Sequence, residues 1–322
     1  MKNARRLAGV FLVASLGLSG CAVFIPQTAA LREHPPVAIP ESIEWAEVPF
    51  FPQDEYQCGP AALATVLARF KPEIAPEDLA KEVYLPGRQG SLQIEMLAAP
   101  RRHGLLSYRL APRLDDVLRE AAAGNPVVVL QDFGVWPVSI WHYAVVVGYD
   151  LPRGELILRS GGQRRQVMPF AIHEYLSKES DYWAMVVVPP ERLPATASET
   201  PYLASLAAFE RGGNLQATRT AYGAALKKWP ESSIAAIGLA NSHYAVGELP
   251  QAAAVLRSAL EFQPDSMVLL NNLAQTLSDL GRNQEALPLI ERALALEAVS
   301  PAASLAAALR ETQQLLLQRL HR

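Results

Sequence analysis

Three glycines, Gly213, Gly247 and Gly281, stand 34 residues apart, and three further columns keep that step. They are Ala225, Ala259 and Ala293; Leu226, Leu260 and Leu294; and Pro230 with Pro264, followed by Ala298. A fixed period of this length restricts the C-terminal part to helix–turn–helix units, each too thin to bury its apolar face without a stacked neighbour. The competing reading is an Ala/Leu-rich helical bundle with accidental spacing, and four coincident columns weigh against it. The expected layout is three repeats and a capping helix from about Pro301 to Leu320, together spanning residues 199–322. Such arrays offer a concave face to a peptide or partner helix, and Asn241, Asn271 and Asn272 are polar candidates on it.

Ahead of the repeats, Tyr56-Gln57-Cys58-Gly59-Pro60-Ala61-Ala62-Leu63 puts a cysteine at the mouth of an apolar helix. Pro60 suits the first turn, where a missing N–H costs nothing. Ala62, Leu63, Val66, Leu67 and Phe70 follow at helical spacing as a buried stripe. A thiol at that end meets unpaired N–H groups and the positive end of the helix dipole, and both favour thiolate. The alternative is a buried structural cysteine, since free Cys is among the most buried residue types.

Residues 1–21 read as an export signal. Lys2, Arg5 and Arg6 form the basic start, Leu7 to Leu18 the apolar core, and Leu18-Ser19-Gly20-Cys21 a small-residue cleavage pattern ending in cysteine. The apolar run is short of the ~20 residues a spanning helix needs. This pattern resembles the bacterial lipoprotein signal, which implies acylation (palmitate among the chains) of Cys21 as the mature N-terminus. With no Asp after it, the expected location is the cell envelope, on the periplasmic face of an outer membrane. Residues 22–44, with Pro26, Pro35, Pro36 and Pro40, read as an extended tether. Cys58 is then the single unmodified thiol, so no internal disulfide is expected. Losing the three signal cations takes the net charge from −3 to about −6, a balance that argues against nucleic acid as a partner.

Residues 45–190 form the first domain and residues 191–198 a linker. Val48 to Gln53 predicts a short strand and turn leading into the cysteine helix. Helices are expected at Pro76–Tyr84, from a Ser91 cap to about Ala99, at Leu114–Ala123 and near Ala171–Lys178. Strands are expected at Leu105–Leu110, Val127–Gln131, Trp141–Tyr149, Glu155–Arg159 and Tyr182–Val188. Early helices followed by a mostly antiparallel sheet make an α+β domain. Of six histidines, His34, His103, His173, His243 and His321 have structural or surface explanations. His142 differs, because it leads the apolar strand His142-Tyr143-Ala144-Val145-Val146-Val147-Gly148-Tyr149; a satisfied core histidine is the alternative there too. With Asp150 to Gly154 as a hairpin turn, paired residue numbers sum to 304, so His142 faces Gly162 with Ser160 and Arg164 as diagonal neighbours. Asp150, roughly 26 Å along the strand, is out of reach of the imidazole, whereas Ser160 is not.

Gln53, Cys58-Gly59-Pro60-Ala61-Ala62 and the His142 strand together resemble the bacteriocin-processing cysteine peptidases, the papain-like domain that cleaves leader peptides after a double glycine. The resemblance covers about Val48 to Val188. It implies Cys58 as nucleophile, His142 as proton shuttle and Gln53 as an oxyanion donor, with Gln57 the rival donor. The family's usual aspartate after the histidine strand is missing, and Leu156-Ile157-Leu158-Arg159-Ser160-Gly161-Gly162 leaves Ser160 to hold the ring. The 34-residue units resemble tetratricopeptide repeats. No cofactor or metal is expected. Two functions stay open: a lipid-anchored cysteine peptidase whose repeats recruit a peptide or protein substrate or a partner, and a peptide-binding scaffold that does not cut. Acyl or amide transfer by the same pair differs only in the acceptor. Trp136 and Trp141, near His142, are candidates to line a substrate groove or to be core.

Overall fold

The computed structural model describes residues 25–52, 57–135 and 137–321. The chain divides into two compact units, the first running to Pro189 and taking in residues 194–197, the second built mainly from Ser198 onward.

Among the described residues, the first unit opens with α1 (Pro26–Glu33), where a tether was expected. Pro26 occupies the first turn, and the backbone N–H groups of Gln27 and Thr28 donate to the carboxylate of Glu174 at 2.8 and 2.6 Å. Four N–H groups at any helix start lack intrahelical partners, so a carboxylate there fixes both the helix and its docking. β1 (Ser42–Glu44) then joins a sheet, and the segment up to Pro52, expected to hold a strand, has no regular structure. The described tether residues, from Ile25 on, are thus part of the globule, because the proline-rich stretch finds tertiary partners that local pattern does not reveal.

α2 (Cys58–Leu67) is followed by α3 (Pro76–Val83), β2 (Tyr84–Leu85), β3 (Gly90–Ser91), α4 (Gln93–Arg102), β4 (Leu106–Arg109) and α5 (Leu114–Ala122). Next come β5 (Val127–Asp132), β6 (Trp141–Asp150), β7 (Glu155–Ser160), β8 (Gln163–Pro169), α6 (Phe170–Ser177) and β9 (Ala184–Val188). Ser91 lies in β3 and does not cap α4, whose N-cap is Leu92 with no side-chain bond. β8 was not anticipated: Gln163, Arg164 and Arg165 are exposed on an edge strand, Gln166 is half-buried, and the stretch carries no apolar alternation. The main sheet runs β4-β9-β5-β6-β7-β8, all antiparallel, with β1 also pairing β6.

Every residue of α2 from Gly59 to Leu67 is buried, so the helix has no polar face. Leu63, Val66 and Leu67 pack in one core with Tyr143, Val145 and Val147 of β6, Leu79 of α3 and Met96 of α4. Gly59 exists to admit this packing: a Cβ there would lie 2.4 Å from Ser91 Oγ. α5 packs against β6 and α6 against β5, and α1 rests on both of these helices. Residues 194–197, expected as free linker, return to this unit, where Thr196 N and Oγ1 donate to the buried carboxylate of Glu120 at 2.7 and 2.6 Å.

Among the described residues the second unit has seven helices: α7 (Glu199–Glu210), α8 (Leu215–Lys228), α9 (Ser233–Tyr244), α10 (Leu249–Phe262), α11 (Met267–Asp279), α12 (Asn283–Val299) and α13 (Ala303–Leu320). They pair into three helix–turn–helix repeats and a final helix. The glycine column takes φ of +77°, +79° and +76°, the left-handed conformation that ends the first helix of each repeat and that side chains rarely adopt. The alanine column lies buried where second helices pack, and Ser232 and Ser266 cap α9 and α11 at equivalent positions.

Candidate active site

Cys58 occupies the first position of α2 and is half-buried. Backbone N–H groups of Tyr143, Gly59 and Cys58 itself face the sulfur and favour thiolate. Burial opposes them and is the larger effect, so the thiol is pushed up from its ordinary value of 9.0. This corrects the expectation from helix position alone: the same packing that seats the helix start removes the sulfur from water.

His142 sits at the start of β6, opposite Gln131 of β5. Near the turn the β6–β7 register sums to 305, with Asp150 paired to Glu155 where Tyr149 was expected. An irregularity between Val146 and Gly148 absorbs one residue, and Val145 then pairs Arg159, which restores the expected sum of 304 toward His142. Ser160 Oγ consequently lies 2.9 Å from His142 Nε2. With Nε2–H donating to that hydroxyl, Nδ1 is the nitrogen left to take a proton. The Phe133 ring meets the imidazole edge-on with centroids 5.7 Å apart. Burial holds His142 below its ordinary value of 6.5, so at both groups burial favours the uncharged form over an ion pair.

Cys58, His142 and Tyr143 line one cleft of about 1380 Å³. Ser91, Leu92, Gln93, Phe133, Ile140 and Trp141 line it as well. Arg109 and Asp181, 3.5 Å apart, also border it. The structure thus brings Cys58, His142 and Ser160 to one place. Gln53, Cys21 and Trp136 lie outside the described residues, and Gln57 is half-buried just before the cysteine. In the repeats, Asn241 is exposed while Asn271 and Asn272 are half-buried.

Sequence reasoning missed Arg159. Its side chain is buried in β7 and donates to the carbonyls of Ala46 at 3.2 Å, Trp45 and Val48 at 3.4 Å, and Arg164. Those first three carbonyls belong to the irregular segment that leads toward Cys58. The one signal was a lone cation inside the apolar run Leu156-Ile157-Leu158-Arg159.

Comparison with known proteins adds families to this geometry. A family model described as "Peptidase_C39 like family" matches residues 45–159, and two tetratricopeptide repeat models match residues 202–266 and 267–299. Among solved structures, the chain is similar to a protein described as a C39-like peptidase from Bacillus anthracis, at 18% identity and TM-score 0.39, over 46% of this chain and 98% of that one. It is also similar to a double glycine motif protease from an AMS/PCAT transporter in complex with the leader peptide, at 22% identity and TM-score 0.36, over 45% of this chain and 93% of that one. A third is the TPR2B domain of yeast Sti1 in a pHsp70 complex, at 17% identity and TM-score 0.35, over 37% of this chain and 94% of that one. The comparison with curated proteins gave no match. The chain carries a Peptidase_C39-like domain followed by tetratricopeptide repeats on a mixed α+β architecture.

Proposed function

We propose that this protein is a lipid-anchored cysteine peptidase of the cell envelope, acting through Cys58 and His142, with the repeats recruiting substrate or a protein partner. The observation that carries this reading is that the thiol at the head of α2 and the imidazole at the head of β6 open into one cleft, with the Tyr143 N–H against the sulfur. In the reaction, His142 Nδ1 takes the thiol proton as sulfur bonds to the peptide carbonyl carbon. The carbonyl oxygen becomes an oxyanion, which the Cys58 N–H and the Gln53 side chain stabilise. Collapse of the adduct expels the amine, which takes the proton from imidazolium, and water then hydrolyses the thioester and restores the thiol. Ser160 keeps the ring turned with Nε2 toward β7.

A peptide-binding scaffold that does not cut is the second reading. It draws support from the neutral resting pair and from a hydroxyl standing where a carboxylate would stabilise imidazolium. A thiol-reactive probe separates the two: rapid labelling of Cys58 that is lost in His142→Ala supports the peptidase, and labelling no faster than free cysteine overturns it. The anchor is proposed at Cys21, and an alkyne-palmitate label that disappears in Cys21→Ser tests it. No helix among the described residues is long and apolar enough to cross a membrane.

A further inference from the structure

Among the described residues, those joining β5 to β6 carry several exposed apolar side chains and are closely tied to one another. Val135 is 83% exposed, Val138 63%, Ile140 59%, Trp141 46% and Phe133 43%. Exposed apolar residues in such density are unusual away from a binding surface. The segment is nevertheless built. Asp132 Oδ1 accepts from Gly134 N at 2.8 Å and Ile140 N at 2.7 Å, Phe133 N donates to Ile140 O at 2.9 Å, and Val135 pairs Val138. Gly134 closes the tie, since a Cβ there would fall 2.0 Å from Val138 O. Preorganisation of this kind lowers the ordering cost of binding.

The apolar wall is continuous with the reactive centre. Phe133, Ile140 and Trp141 line the same cleft as Cys58; Phe133 touches the His142 ring, and Trp141 adjoins it in β6. Leu92, also partly exposed, lines the same cleft. We propose that this tied hairpin is the specificity wall of the cleft, which selects peptides carrying a bulky apolar side chain next to the bond held at Cys58. A double glycine would leave the wall uncovered. The inference rests on the peptide-binding reading of the cleft but does not need the chain to cut.

The test uses the full chain carrying Cys58→Ala and two dye-labelled peptides that differ only by Phe or Gly at one position, read by fluorescence anisotropy. The Phe peptide is expected to bind at least about tenfold tighter, the discrimination an apolar pocket gives for a lost side chain. Ile140→Ser and Trp141→Ala are expected to erase that preference by weakening the Phe peptide far more than the Gly peptide, and Trp141→Phe to restore most of it. Equal binding of the two peptides, or a preference indifferent to the hairpin variants, overturns the proposal; the second result would place the binding elsewhere, such as on the repeats. Probe labelling of Cys58 in the unaltered chain is scored separately. Slow labelling with Phe-selective binding removes the peptidase and keeps the wall, and rapid labelling without selectivity does the reverse.

Discussion

His142 Nε2 and Ser160 Oγ lie 2.9 Å apart, so a neutral hydroxyl holds the ring that the proposed chemistry must charge. A hydroxyl fixes orientation but adds little to the stability of imidazolium, and a carboxylate would do both. Ser160→Asp is therefore expected to raise kcat/KM about tenfold and to move the acid limb of the pH–rate profile upward. Ser160→Ala, which removes one hydrogen bond worth about 0.5–1.5 kcal/mol, should lower kcat/KM about two- to thirteenfold. Steady-state kinetics on a fluorogenic peptide across pH reads both.

Burial raises the Cys58 thiol and lowers His142, so the pair is uncharged near neutrality. Alkylation of Cys58 by iodoacetamide should still outpace free cysteine near neutrality, because His142 takes the proton as the sulfur attacks, and should keep rising with pH into the alkaline range. A plateau already reached at pH 6 would mean a standing thiolate–imidazolium pair.

His173 is enclosed beside Gln131, with Nδ1 3.0 Å from its amide nitrogen, and burial lowers its pKa to about 4. Between the unfolded value near 6.5 and that figure the unfolded chain binds the extra proton, so this group's contribution to stability is present above pH 6.5 and falls as pH drops toward 4. The loss is about 3 kcal/mol at 1.36 kcal/mol per unit. Urea unfolding at pH 7 and pH 4.5 should show it, and His173→Gln should flatten the difference.

Glu174 receives two N–H groups of α1 from a buried position. Glu174→Ala leaves both unpaired, at a cost of about 1–3 kcal/mol each when they stay buried. Hydrogen exchange over residues 26–33 should accelerate sharply, while a mutation on the exposed face of α6 such as Ile172→Ala should not do this.

In the repeats, a Cβ on Gly238 would lie 2.2 Å from the Tyr222 ring. Gly238→Ala is expected to destabilise by about 1–3 kcal/mol through overpacking. Adding Tyr222→Leu should recover part of the loss in thermal unfolding.

The repeats were legible in the sequence almost residue by residue, because their contacts recur at a fixed step and each column marks one packing role. The cysteine helix and the five main strands of the sheet were legible as well, since apolar run length and turn residues are local properties. Ser160 was reachable by register arithmetic, although an irregularity at Val147 had to cancel an error at the turn. Tertiary structure alone decided the rest. α1 exists through a carboxylate 146 positions away in sequence, Arg159 through carbonyls more than 110 positions away, and the protonation of Cys58 through how much water its packing excludes. Each of these depends on which distant groups meet in space, and no local pattern in the chain records that.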